Sequence, residues 1–259
     1  MLIDSHAHIH IDDYAADIDG VFDRARQAEV GTIITVGTDE TDSRAAIRFV
    51  QDHHPTGIKL FATAGLHPHE ASHGEAAIKQ IRQLAQVERQ HIVAIGECGL
   101  DYYRNLSTPA EQATALRAQI ELAHEFRLPL IFHVRDAWED FWQILGDYSG
   151  LRGVIHSFTG GPREVEAAQT HGLSIALNGI ITFTKLDSQL EAARLIPDDI
   201  LLLETDCPFL TPAPQRGRRN EPANVALVAD FLARLRRTDS ATIAQMTTRN
   251  AQTLFGIAS

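Results

Sequence analysis

Lysine is almost missing from this chain of 259 residues: Lys59, Lys79 and Lys185 are the only ones, and the 23 Lys and Arg together fall short of 34 Asp and Glu. The formal charge of −11 excludes a protein that coats nucleic acid through overall basicity, because binding of that kind draws on dense Lys and Arg. Any anionic substrate has to be held locally. No early apolar stretch approaches the roughly 20 residues that span a bilayer, and Asp4 stands where a secretory leader would carry basic residues. The expectation is a cytosolic monomer without membrane contact. Cysteine is equally sparse, and Cys98 and Cys207 each follow a candidate ligand, so strand alternation turns both toward a helix layer as buried free thiols.

What is present is ordinary in bulk and pointed in detail. With 44% hydrophobic and 22% charged residues the chain has the composition of a globular protein. Its length is near the roughly 250 residues of a complete (β/α)₈ barrel, which implies a single domain over 1–259. Apolar strand candidates recur at 1–6, 31–36, 59–65, 92–97, 129–134, 153–156, 173–178 and 200–205, with helical periodicity between them. Helices are expected over Asp13–Glu29, Pro109–Phe126, Asn220–Arg236 and Ser240–Phe255. Thr108-Pro109-Ala110-Glu111 reads as an N-cap followed by proline and an acidic first turn. Five prolines and glycines crowd Cys207–Pro222, a stretch expected to form a long loop over the barrel mouth. The fold class is α/β, a TIM-like barrel.

Several strand candidates end on a potential metal ligand: His6 and His8, then Glu97, His133, His156 and Asp206. Strand ends converge at one rim of such a barrel, where catalytic residues collect. Alternation places His6 with His8, and also groups Val93, Ile95 and Glu97; Ile131 and His133; Val154 and His156; Leu202, Glu204 and Asp206. Four imidazoles and two carboxylates exceed what one ion with open positions takes from a protein, so two divalent ions are expected. Glu97 has two oxygens with which to bridge them, with His6, His8 and Asp206 on one ion and His133 and His156 on the other. Such a pair can activate water as a hydroxide and stabilise both attacking and leaving oxygens.

The segments Asp4-Ser5-His6-Ala7-His8, Gly65-Leu66-His67-Pro68-His69, Gly96-Glu97-Cys98-Gly99-Leu100-Asp101-Tyr102-Tyr103, His133-Val134-Arg135, His156-Ser157-Phe158-Thr159-Gly160 and Glu204-Thr205-Asp206-Cys207-Pro208 resemble the TatD family of metal-dependent deoxyribonucleases, within the amidohydrolase superfamily. Asn220-Glu221-Pro222-Ala223 and Arg249-Asn250 are similar to it as well. The resemblance implies a TIM-like barrel, a divalent-metal phosphodiesterase centre and action on DNA ends, often 3′ to 5′. It further implies that His67 lies near the scissile phosphate and Glu204 beside the metals.

Around the ligands, Asp206 is the candidate proton acceptor for the attacking water, and Glu204 is placed to orient a ligand. Asp4 shares the parity of His6; for both acids a satisfied buried carboxylate is the structural alternative. His67 and His69 are candidate phosphate contacts, or rim histidines that brace a loop. Arg104, Arg135, Arg216, Arg218 and Arg219, with Lys185, are candidate phosphate partners. Tyr102, Tyr103 and Phe183 could stack a base, or simply pack. Zn, Mn, Co or Fe suits the imidazole-rich donor set and Mg suits the family's chemistry. Two rival functions stand beside DNA hydrolysis: an amidohydrolase acting on a small amide, lactone or phosphoester, and a non-catalytic metal-binding interaction protein.

Overall fold

A computed structural model describes residues 1–257. Eight strands form one sheet in sequential order, each parallel to the next. They are β1 (Leu2–Ala7), β2 (Val30–Thr35), β3 (Lys59–Ala64), β4 (Ile92–Asp101), β5 (Leu130–Arg135), β6 (Gly153–Ile155), β7 (Ser174–Leu177) and β8 (Leu201–Leu203). The sheet curls until its ends meet, and a bridge between Ala7 and Cys207 brings the last strand's continuation against the first. The backbone amides of Asp206 and His8 donate to the carbonyls of His6 and Cys207, at 2.9 and 2.8 Å. This is the expected (β/α)₈ barrel.

Helices α1 (Ile18–Gln27), α2 (Glu40–Asp52), α3 (Gly74–Val87), α4 (Pro109–Phe126), α5 (Trp138–Leu145), α6 (Pro162–Thr170) and α7 (Asp187–Leu195) follow successive strands, and α8 (Val225–Arg236) and α9 (Ser240–Phe255) close the chain. At α4 the expected cap is present, since Thr108 and Glu111 bond each other's backbone amides in a capping box. Two expected helices begin later than their periodicity suggests. Tyr14 is drawn inward, its hydroxyl donating to the Asn220 carbonyl, so only a short 3₁₀ turn precedes α1. Asn220 is itself buried, and its amide donates to the carbonyls of Thr205 and Phe209; another 3₁₀ turn at Pro222–Asn224 then leads into α8.

The apolar side chains divide into two layers. Leu2, Ile33, Ile92, Leu130, Phe132, Ile155, Leu201, Cys98 and Cys207 pack with the helices. Ile3, Ile34, Val36, Val93, Ala94, Ile131, Val154, Ala176 and Leu202 fill the barrel interior, and Ala251, Phe255 and Ile257 join them from the end of α9. Both cysteines are free and buried as expected. No helix among the described residues is long and apolar enough to cross a membrane.

Strand β4 departs from simple alternation. Ile95 packs with the helix layer although Val93 and Ala94 face inward, so the expected grouping of Val93, Ile95 and Glu97 on one side is incorrect. The register against β5 slips between Ile95 and Cys98, and Gly96 there has φ +145°, a conformation open to glycine and strained for other residues. A Cβ on Gly96 would also stand 2.7 Å from the Ile131 carbonyl oxygen. The bulge re-aims the chain and delivers Glu97 inward.

Candidate metal centre

At the carboxyl ends of the strands the expected ligands meet. His6 Nε2 lies 3.3 Å from His8 Nε2 and 3.4 Å from Glu97 Oε2, while Asp206 Oδ1 is 3.8 Å from the first imidazole and 3.5 Å from the second. The other Glu97 oxygen, Oε1, is 2.7 Å from His156 Nε2, 2.9 Å from His133 Nδ1 and 3.4 Å from His67 Nε2. One carboxylate thus faces two imidazole groups, one through each oxygen. His67, expected as a phosphate contact, also falls within the reach of a ligand, alongside Glu97 and His133.

Three of the rings are oriented from behind. His8 Nδ1 donates to the Val36 carbonyl at 2.8 Å, which leaves Nε2 as the free lone pair. His133 Nε2 is 3.2 Å from Asp101 Oδ2, so its Nδ1 is the atom turned toward Glu97. His67 Nδ1 accepts from the His69 amide at 3.1 Å, which puts its proton on Nε2. Hydrogen bonds of this kind fix tautomer and ring direction in metal sites. Asp4 accepts from the Thr205 amide and hydroxyl at 2.8 and 2.6 Å, and burial pushes its carboxyl up to about 8. Glu204 accepts from the Ser157 amide at 2.6 Å and from Asn178 at 3.1 Å through Oε1.

The electrostatics favour cations. Burial opposes charge on Glu97, yet attraction to His156, His67 and His6 and the His133 hydrogen bond hold its carboxyl well below the usual carboxylate range. Burial likewise opposes a charged His156, and the facing Glu97 and Glu204 raise it well above the usual imidazole range. His67 is driven down to about 4, chiefly by burial. Nδ1 of His6, Nδ1 of His156 and Oε2 of Glu204 are buried without a hydrogen-bond partner. Paired lone-pair donors at 3.3 Å, together with carboxylates and unsatisfied polar atoms, fit divalent metal ions.

The cluster floors a cavity of about 790 Å³, large enough for a small-molecule or chain-end substrate. Arg104 and Arg135 line it, as do His67 and His69. Arg216, Arg218 and Arg219 do not, so the structure does not bring them to the site. Arg216 donates to the Thr211 carbonyl and lies 3.9 Å over the Phe183 ring; Arg219 pairs with Asp17 at 2.9 Å; Arg218 is exposed on the loop between them. His69 Nε2 is committed to Asp101 Oδ2 at 2.9 Å. Asp101 is the residue that sequence reasoning missed. It lies past the ligand on β4 with no apolar run to single it out, and the available signals were its place in the family-like segment 96–103 and its chemistry, an acid four residues beyond Glu97.

Fold and cluster together define a (β/α)₈ metal-dependent hydrolase. Residues 3–256 match the family described as TatD related DNase, and the chain belongs to that family. It is 38% identical over 260 residues to the uncharacterized metal-dependent hydrolase YabD of Bacillus subtilis, covering 99% of this chain and all of the relative. It is 40% identical over 252 residues to the 3′-5′ ssDNA/RNA exonuclease TatD of Erwinia amylovora, covering 94% and 95% of the two chains. Among solved structures, the TatD homologue YjjV of Escherichia coli K12 is similar at 30% identity and a TM-score of 0.91, over 99% of this chain and 98% of that one.

Proposed function

We propose that the protein removes nucleotides from the 3′ end of DNA or RNA strands by hydrolysing the terminal phosphodiester bond, with two divalent cations held by His6, His8, Glu97, His133, His156 and Asp206. The observation that carries this is Glu97, whose Oε2 faces His6 at 3.4 Å while Oε1 faces His156 at 2.7 Å and His133 at 2.9 Å. The relatives named as 3′-5′ exonucleases support the substrate and polarity. The scheme is that of a monomer, and a cytosolic location suits a nuclease of intracellular nucleic acid.

Bound cations would supply Lewis-acid polarisation of the phosphoryl group and a more acidic water; Zn, Mn, Co, Fe and Mg are the candidates. The remaining work belongs to side chains. Asp206, partly exposed to the cavity, takes the proton of the attacking water on its carboxylate. His67, neutral at physiological pH because burial holds it at about 4, offers its Nε2 proton to a phosphate oxygen or to the leaving alkoxide. Arg104 and Arg135 at the mouth neutralise the phosphates of the retained strand. Glu204 steadies the segment after β6 through the Ser157 amide.

Digestion of 3′ end-labelled and 5′ end-labelled oligonucleotides by chelated and metal-reloaded protein tests the proposal. Metal-dependent shortening from the 3′ end is expected, and replacement Glu97→Gln lowers turnover at least 100-fold, since it removes the shared negative charge. Untouched DNA and RNA, alongside metal-dependent turnover of a lactone, dipeptide or small phosphoester, would overturn it.

A further inference from the structure

The mouth of the cavity carries apolar surface that the chemistry of hydrolysis does not require. Phe209 is 59% exposed and Tyr103 is 60% exposed, and both line the cavity above the metal ligands. Other exposed apolar residues, such as Leu106, Leu186 and Val87, lie outside it and are ordinary surface. The two aromatic residues follow β8 and β4, strands half a turn apart in a ring of eight, so they flank the opening from opposite sides.

Neither ring is exposed for want of a place in the backbone. Phe209 sits on a braced turn: its amide donates to the Asp206 carbonyl at 3.0 Å, and its own carbonyl accepts from the buried side chain of Asn220 at 2.6 Å. The next residue is wedged so closely against Gly179 that a Cβ there would collide with the Leu210 carbonyl. The Phe209 ring stands 6.3 Å from the His8 ring, edge to face. Tyr103 is covered on one side by the Arg135 guanidinium, 3.8 Å from the ring centroid, which places a cation and a flat π-surface together. Tyr102 and Phe183, the other aromatic candidates, are engaged elsewhere, the first by Asp140 at 2.7 Å and the second beneath Arg216.

Resting on the nuclease reading above, we propose that Phe209 and the Tyr103–Arg135 pair are specificity-determining residues that stack the bases flanking the scissile phosphate. A base can lie on either ring only when it is unpaired and splayed from its neighbours. The site therefore selects single-stranded ends over duplex and over phosphoesters without a base.

The test is a cycle between protein and substrate. Wild-type protein, Phe209→Ala, Tyr103→Ala and the conservative Phe209→Tyr are assayed on a single-stranded oligonucleotide and on copies with a stable abasic residue at the terminal or penultimate 3′ position. Wild type is expected to lose roughly tenfold in kcat/KM on an abasic copy, the scale of one base–aromatic stack. The corresponding alanine variant loses as much on the normal strand and nothing further on the abasic one, while Phe209→Tyr retains the wild-type pattern. Losses that multiply, or alanine variants that match wild type on the normal strand, overturn the stacking proposal and leave the nuclease reading standing. Wild-type protein that shortens no oligonucleotide with any of the metals overturns both.

Discussion

Replacing Asp101 by Asn should weaken one of the two proposed cation positions and spare the other. Asp101 is 1% exposed, and its Oδ2 accepts from His69 Nε2 at 2.9 Å and from His133 Nε2 at 3.2 Å. Its Oδ1 accepts from the Arg104 amide at 2.7 Å. Both oxygens therefore face N–H donors. An asparagine cannot reproduce this: if its oxygen keeps the Arg104 amide, its NH₂ points at two imidazole N–H groups, and if it turns over, NH₂ opposes the backbone amide. Either way a buried donor goes unsatisfied, at a cost of about 1–3 kcal/mol. His133 can escape by shifting its proton to Nδ1, the nitrogen that faces Glu97, and that removes the lone pair needed for a cation. Loss of an outer carboxylate of this type lowers metal affinity about 10–100-fold. Calorimetric titration of the chelated protein with Zn or Mn should show two equivalents in the wild type and, in the variant, one of them weakened by that factor. The ¹⁵N pattern of His133 should change tautomer. Two unchanged equivalents with an unchanged tautomer would refute the reasoning.

Chelation alone should lower stability, because cations bind the folded cluster and not the unfolded chain: metal at about 100 times its Kd adds about 2.7 kcal/mol, or roughly 5–10 °C in Tm for a chain of this size. A Tm indifferent to chelator and to re-addition of metal would contradict the centre. Acid stability should show Asp42. Burial acts to raise its carboxyl, but the bond to His10 and the hydrogen bonds from Thr38 bring it down from 3.8 to about 2. A lowered carboxylate contributes stability that is present above the unfolded pKa and lost as pH falls through the folded one, here between about 4 and 2, amounting to about 2 kcal/mol. Denaturant unfolding across that window should fall more steeply for the wild type than for Asp42→Asn, and parallel curves would remove the assignment.

The barrel and its candidate ligands were legible because both rest on short-range rules. Period-two apolar runs mark strands, parallel strands need helices between them, and a polar residue ending such a run arrives at the rim; Val154 and His156 obey this directly, whereas Asp206 arrives through a left-handed turn, φ +55°, past the end of β8. Glu97 was identified from the right chemistry and the wrong geometry, since alternation from Ile95 would have turned it outward without the bulge at Gly96. Asp101 was hidden because its role exists only across β4 and β5, where His133 stands beside it. The arginines near 216–219 were misplaced for a related reason. Sequence proximity to Asp206 says nothing about direction: the folded loop spends the Arg216 and Arg219 guanidinium groups on Thr211, Phe183, Asp17 and Tyr14 and leaves Arg218 exposed.

That redistribution bears on how so acidic a protein holds a polyanion. Glu204 is buried, while Glu97, Asp101 and Asp206 line the cavity, and a cavity lined this way and left without counter-charge repels a phosphodiester. Screening does little there, because buried charges are shielded less than exposed ones. Arg104 and Arg135 are the arginines that line the opening, and one of them is stacked on Tyr103. Attraction for a phosphate must therefore come mainly from cations in the cluster, with aromatic surface and two guanidinium groups guiding the strand toward them. It follows that chelated protein should bind single-stranded oligonucleotide weakly and with little dependence on salt, whereas metal-loaded protein binds tightly with a slope set by few phosphate contacts. The scarcity of lysine is then no obstacle to nucleic-acid chemistry, because the charge that meets the phosphate would come from bound cations and from the two arginines at the mouth.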